Sequence, residues 1–318
     1  MALSSALILL AYAGLVAYVA GPALARSRYA AQAPRFAIAA WLLICATFAV
    51  SLLAAAASAL AAVPHLGAAV MSLVALCTST AEHVYEAPNG GHTATLIGAF
   101  LLVLVPIRLT YVLARLFAVD RQGAGRLLDA LAPVLSRLPG SRDVFLLNRP
   151  ERFAFCVAGR HKAVVLTSGL IDALSGPQLS AILAHERSHL NQHHALTLLL
   201  ARAFRRSFGT RIPLFTLAEQ QIARLVELCA DDAARREVGA QALKQALQQV
   251  ARGPVSGSVL AAAAVAVEER VARLDQATAP ESAPAAVSST IALVVLLASP
   301  VVVALLPVVS TAWYALCH

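Results

Sequence analysis

The stretch Ala184-His185-Glu186-Arg187-Ser188-His189-Leu190 decides how the chain is read. It has the form H-E-x-x-H inside a segment whose composition predicts a helix from about Pro177 to Leu200. Residues four apart stand one turn apart on one helix face, so the imidazoles of His185 and His189 can reach a single Zn²⁺. Glu186 follows the first histidine and can lean over the metal from the same side. There it can accept a proton from a bound water, whose pKa zinc lowers towards ~7. A five-residue pattern of this kind also arises by chance on solvated helices. Here Leu179-Ser180-Ala181-Ile182-Leu183-Ala184 is apolar and leads straight into the motif. Polar residues emerging from such a run belong to a buried, liganded site rather than a wet face.

The surrounding chain has the composition of a membrane protein. Of its 318 residues 59% are hydrophobic and 13% charged, against ~25% charged in soluble domains. Four stretches reach the ~20 apolar residues that cross a bilayer. They are Ala2 to Ala25, Phe36 to Val63, Thr93 to about Leu113, and Val287 to Cys317. The third holds Pro106 and Arg108; the fourth holds Pro300 and Pro307 as kink positions. No basic region precedes the first, so it is expected to be retained rather than cleaved as a signal. The expected organisation is a membrane domain over 1–118, with helices at about 2–25, 36–63 and 93–113. A zinc domain over 119–286 and a C-terminal transmembrane helix over 287–318 follow.

Charge orients the spans. Arg26, Arg28 and Arg35 lie between the first two, and Arg121, Arg126, Arg137 and Arg142 follow the third. The loop from Pro64 to His92 carries no Lys or Arg. By the positive-inside rule both termini are outside and residues 119–286 are cytoplasmic. Only two of the 25 basic residues, Lys162 and Lys244, are lysines. With the abundance of Ala and Val, this points to a GC-rich bacterial gene and so to the cytoplasmic (inner) membrane. Residues 119–286 hold 20 basic and 15 acidic side chains. That modest excess suits an anionic leaflet and needs no nucleic acid. The five cysteines form no metal pattern. Cys77 and Cys317 would share the outer compartment, where a disulfide between them is permitted.

The zinc domain reads as α+β. Short strands are expected at Asp143 to Leu147, Phe153-Ala154-Phe155-Cys156-Val157 and Ala163 to Thr167. A short helix begins at Ser168, and Ser175-Gly176-Pro177 resets the chain for the motif helix. The strand Phe153 to Val157 is a candidate edge for an extended peptide substrate. A catalytic zinc takes three protein ligands and leaves one position open. Glu227, on a helix from about Leu217 to Val238, is the best third ligand. Asp231, one turn on, can accept the free N–H of a ligand histidine. His193 and His194 compete for the role. His193, however, lies eight residues beyond His185, about 12 Å along a continuous helix. The helix would have to break after His189, and Leu190 to Leu200 contains no Gly or Pro. Glu219 is the next acidic alternative.

The strand-Gly-Leu-helix run, the L-x-A-I-L-A-H-E-x-x-H helix and the later E-x-x-x-D resemble membrane-bound gluzincins, among them the heat-shock-related and prenyl-protein membrane proteases. Of these, the closer resemblance is to the beta-lactam sensor/antirepressor metallopeptidase family, in which membrane spans precede a cytoplasmic zinc domain. The likeness covers about residues 93–286, with its motifs between 143 and 237. It implies one Zn²⁺ per chain held by His185, His189 and Glu227, with Glu186 as general base and Asp231 in support. It also implies cleavage of a cytoplasmic repressor, of winged-helix type, in a signalling pathway. The chain is expected to lack that family's extracellular penicillin-binding domain, since no S-x-x-K or K-T-G follows Val287. Arg235 and Arg236 are candidates for steadying an oxyanion. Two other readings stay open: a quality-control protease for membrane proteins, and a non-catalytic zinc-stabilised scaffold.

Overall fold

The computed structural model describes residues 2–27, 29–61, 91–158, 162–252, 259–275, 295 and 298–303. The chain opens with α1 (Ala2–Leu15), one π-helical turn (Val16–Ala20) and α2 (Gly21–Ala25), which together form one rod. A short α3 (Tyr29–Gln32) turns the chain into α4 (Pro34–Ala61), and α5 (Gly91–Leu131) follows. Among the described residues three stretches are long and apolar enough to cross a membrane: Ser4–Ala25, Pro34–Leu60 and Leu96–Leu131. The third was expected to end near Leu113. Its helix instead continues unbroken to Leu131, because Leu, Ala and Arg favour helix and nothing after Pro106 stops it. The expected fourth span (287–318) lies outside the described residues, save residue 295 and a helical piece at 298–303. There Ser299 donates to the Tyr12 hydroxyl at 2.9 Å. Cys77, Cys317 and most of the 64–92 loop also lie outside them.

Four strands follow: β1 (Leu135–Arg137), β2 (Val144–Leu147), β3 (Ala154–Val157) and β4 (Ala163–Thr167). Their order is β1-β2-β4-β3, with β2 and β4 parallel and the other pairs antiparallel. Every residue of β4 is buried, as an apolar, β-branched run in a central strand should be. Among the described residues β3 pairs with β4 alone and forms an edge, with Ala154 opposite Leu166 and Val157 opposite Ala163. β1 was not foreseen; three residues with a single half-buried Leu carry too little pattern. Helices α6 (Ser168–Ala173), α7 (Gly176–Asn191), α8 (His194–Phe208), α9 (Pro213–Val238), α10 (Ala240–Ala251) and α11 (Val259–Asp275) complete the domain.

The motif helix was expected to run to Leu200. It stops at Asn191, and α8 restarts at His194 after His193 adopts φ 54°, ψ 38°. No Gly or Pro is needed, because histidine is among the residues that tolerate the left-handed region.

The N-terminal helices and the α+β domain share one core. Leu214, Phe215, Ala218, Ile222 and Leu225 of α9 are fully buried against Trp41, Ile44, Cys45 and Phe48 of α4 and Val16 and Ala17 of the first rod. A Cβ at Gly21 would stand 2.9 Å from Leu214 Cδ1, so glycine sets the approach of α2 to α9. Arg108, a charge within the third apolar stretch on α5, finds its partners at the C-terminus of α8. It donates to the carbonyls of Ser207 at 2.7 Å and Arg206 at 3.1 Å, which helix termini leave unsatisfied. The turn between the first two apolar stretches docks as well: Arg35 donates to Gln192 Oε1 at 3.1 Å, and Arg273 to the Ala31 carbonyl at 2.8 Å.

Candidate metal centre

Two helices build the centre. α7 begins with a reciprocal cap, in which Ser175 N–H donates to Gln178 Oε1 at 3.0 Å and Pro177 occupies the first turn. Its apolar face buries Ala181, Ile182 and Ala184, which carries His185 inward with it. α9 crosses this face, and its small Ala230 and Ala234 let the two helices approach closely.

His185 Nε2 and His189 Nε2 lie 3.2 Å apart. Glu227 Oε2 is 3.4 Å from the first and Oε1 3.5 Å from the second. Among the described residues these three form the one group of histidine, cysteine or carboxylate side chains close enough to share a metal. Four tetrahedral ligands at 2.0–2.1 Å from zinc would be separated by about 3.3 Å. The observed triangle has those edges, so the donor set fits the ion in chemistry and spacing.

The second nitrogens of both histidines are engaged. His185 Nδ1 stands 3.0 Å from Asp231 Oδ1, and Asp231 is 1% exposed. His189 Nδ1 stands 3.0 Å from His194 Nδ1. The left-handed turn at His193 is what returns His194 to the centre. The expectation that a continuous helix keeps His193 and His194 away is therefore corrected for His194. It supports a candidate ligand and is not part of the triad.

Arg270 of α11 was not foreseen; Arg235 and Arg236 had been the candidate arginines. Its Nε and Nη2 donate to the two oxygens of Asp231 at 2.7 and 2.6 Å, and its Nη1 is 3.4 Å from Glu227 Oε2. A bidentate guanidinium holds a buried carboxylate both in charge and in orientation. In sequence Glu268-Glu269-Arg270 reads as a solvated charge run, and Glu269 does pair outward with Arg224.

Charge in the centre is strongly biased. Burial opposes charge on His185, yet its hydrogen bonds to Asp231 and Glu227 outweigh that and raise its pKa to about 9. Burial also opposes charge on Glu227, but His185 and Arg270 hold it down to about 2. Burial lowers His189, with its neighbour His185 adding to the effect. His194 is pushed to about 4 by burial and by His189. Burial raises Glu186, the direction a general base needs, while His185 and a hydrogen bond from the Cys156 thiol pull the other way. The remaining expected residues are nearby or apart: Cys156 on β3 faces Glu186, Phe153 precedes β3, and Glu219 pairs with Arg202 and Arg205 away from the centre.

Residues 124–278 match the family model described as Peptidase family M48. The match takes in the four strands, both helices of the triad and the helix of Arg270, and gives this part of the chain as a zincin-type metallopeptidase domain. No solved structure matches the chain.

Proposed function

We propose that the chain is an integral-membrane zinc endopeptidase that cleaves a protein segment at the cytoplasmic face. The observation that carries this is the triangle of His185 Nε2, His189 Nε2 and Glu227, with tetrahedral edge lengths and Glu186 beside it. Zinc, when bound, supplies a Lewis acid that polarises the scissile carbonyl and activates water. The protein's own groups do the rest. Glu186 takes the proton of the attacking water and hands it to the leaving amine nitrogen. Asp231, clamped by Arg270, keeps His185 in the tautomer that frees Nε2. His194 does the same for His189. The outer edge of β3, which has no strand partner among the described residues, receives the substrate as an added strand, whose backbone bonds fix register while Glu186 faces the bond to be cut.

The docking of the Arg26–Arg35 turn against α7 and α11 supports placing the centre on the side of that turn, which the positive-inside rule puts in the cytoplasm. A cytoplasmic repressor is the regulatory substrate that such a placement serves. The reading is tested by metal analysis of purified His185→Ala, His189→Ala and Glu227→Ala variants. Each is expected to lose most of the bound zinc; near-stoichiometric zinc in Glu227→Ala would remove the third ligand.

A further inference from the structure

A cavity of about 470 Å³ opens beside the metal centre, between α5, the end of β3 and the start of α8. We propose that it is the pocket that selects the substrate, and that it accepts one large apolar side chain, such as Leu, Met or Phe, next to the scissile bond. The proposal rests on the peptidase reading above and deepens it.

Position comes first. His189 lines the cavity and also offers Nε2 to the triad, so a peptide carbonyl at the centre places an adjacent side chain at the cavity mouth. Val157, at the end of the β3 edge, forms another wall. A peptide added to that edge would point alternate side chains to one face, at about 6.8 Å intervals, and one of these meets the cavity.

Chemistry comes second. Val119, Gly123 and Leu127 are four apart on α5, so they form one stripe on the wall opposite β3. Leu198 of α8 adds to it. Val119 and Leu127 are 60% and 42% exposed, apolar surface that a bound side chain would cover. Asp120 is the one charged side chain of the lining among the described residues, so an acidic substrate residue is repelled. The volume lies within the range of about 300–1,000 Å³ found for ligand pockets. The wall at Gly123 faces open space, since a Cβ built there meets nothing within 4 Å, so a larger side chain at this position could reach into the cavity. Because α5 continues the third apolar stretch, a helix that emerges from the membrane supplies the wall that chooses the substrate.

The test uses the full-length protein in lipid nanodiscs with zinc and a proteome-derived peptide library, read by mass spectrometry, with Glu186→Gln as blank. Wild type is compared with Gly123→Phe, which has room to fold and replaces a poor helix former. The wild type is expected to enrich Leu, Met and Phe at one position flanking the cut. In Gly123→Phe that preference gives way to Ala and Gly, with the Phe-to-Ala ratio in kcat/KM falling at least tenfold, as a filled apolar pocket requires. The same profile from both proteins would overturn the pocket while leaving the peptidase reading intact. If the zinc-loaded wild type cuts nothing beyond the blank, the peptidase reading falls and the pocket with it.

Discussion

The Nδ1 nitrogens of His189 and His194 lie 3.0 Å apart, and one of the two must donate to the other. If His189 offers Nε2 to a metal, its Nδ1 carries the proton and His194 accepts through a bare Nδ1. A neutral His194 is what its pKa of about 4 provides at any physiological pH.

His194→Ala therefore removes the acceptor that holds the His189 ring and its tautomer. Zinc affinity should fall about 10- to 100-fold, the usual consequence of deleting such a partner. Competition with a fluorescent chelator measures it. His194→Asn keeps an acceptor and should recover part of the loss; equal affinity in wild type and His194→Ala would show that the contact orients nothing.

Zinc and a proton compete for His185. Its pKa in the metal-free fold is raised to about 9 from 6.5, so at neutral pH one proton must leave when the ion binds. The apparent affinity should rise about tenfold per pH unit up to about 9 and then level. The metal-free fold behaves oppositely. A raised histidine contributes stability fully below 6.5 and loses it as pH rises through 9. Glu227, depressed to about 2, and Asp231, also lowered, contribute stability that is fully present above the normal carboxylate range. They lose it only in acid, as pH falls through their lowered values. Calorimetric titrations across pH 6 to 9.5 check the first point, and thermal melts of the metal-free protein the second. A flat affinity profile would contradict the charge distribution of the centre.

Topology is open to a direct check. Reporter fusions after Ala31, Asn89, Leu138 and His318 should read inside, outside, inside and outside in turn. An inside signal at Asn89 would break the path of the second and third spans. An outside signal at Leu138 would put the centre in the wrong compartment for a cytoplasmic substrate.

Local spacing made part of this site legible in sequence and hid the rest. His185, Glu186 and His189 are fixed by helix geometry alone, and Glu227 with Asp231 repeats the same four-residue logic on a second helix. His194 was hidden because the break at His193 uses no Gly or Pro; the polar Asn191-Gln192-His193 run inside an apolar helix was the available signal. Arg270 was hidden because its role depends on α11 crossing α9, which no local pattern announces. The long reach of α5 was missed for another reason. Hydropathy marks where a helix leaves the bilayer, while backbone propensity decides where it ends, and here the two differ.

The most direct test of the central claim is cleavage by Glu186→Gln. Glutamine keeps the size and polarity of the side chain but cannot take a proton, and general-base help is worth on the order of 10²–10⁴ in rate. Wild type and variant, each purified full-length in membranes and shown by metal analysis to hold one zinc, are compared on a co-expressed repressor and on the chain itself. The account predicts cleavage by the wild type and none above background in Glu186→Gln. Equal cleavage by both, at equal zinc content, would contradict it.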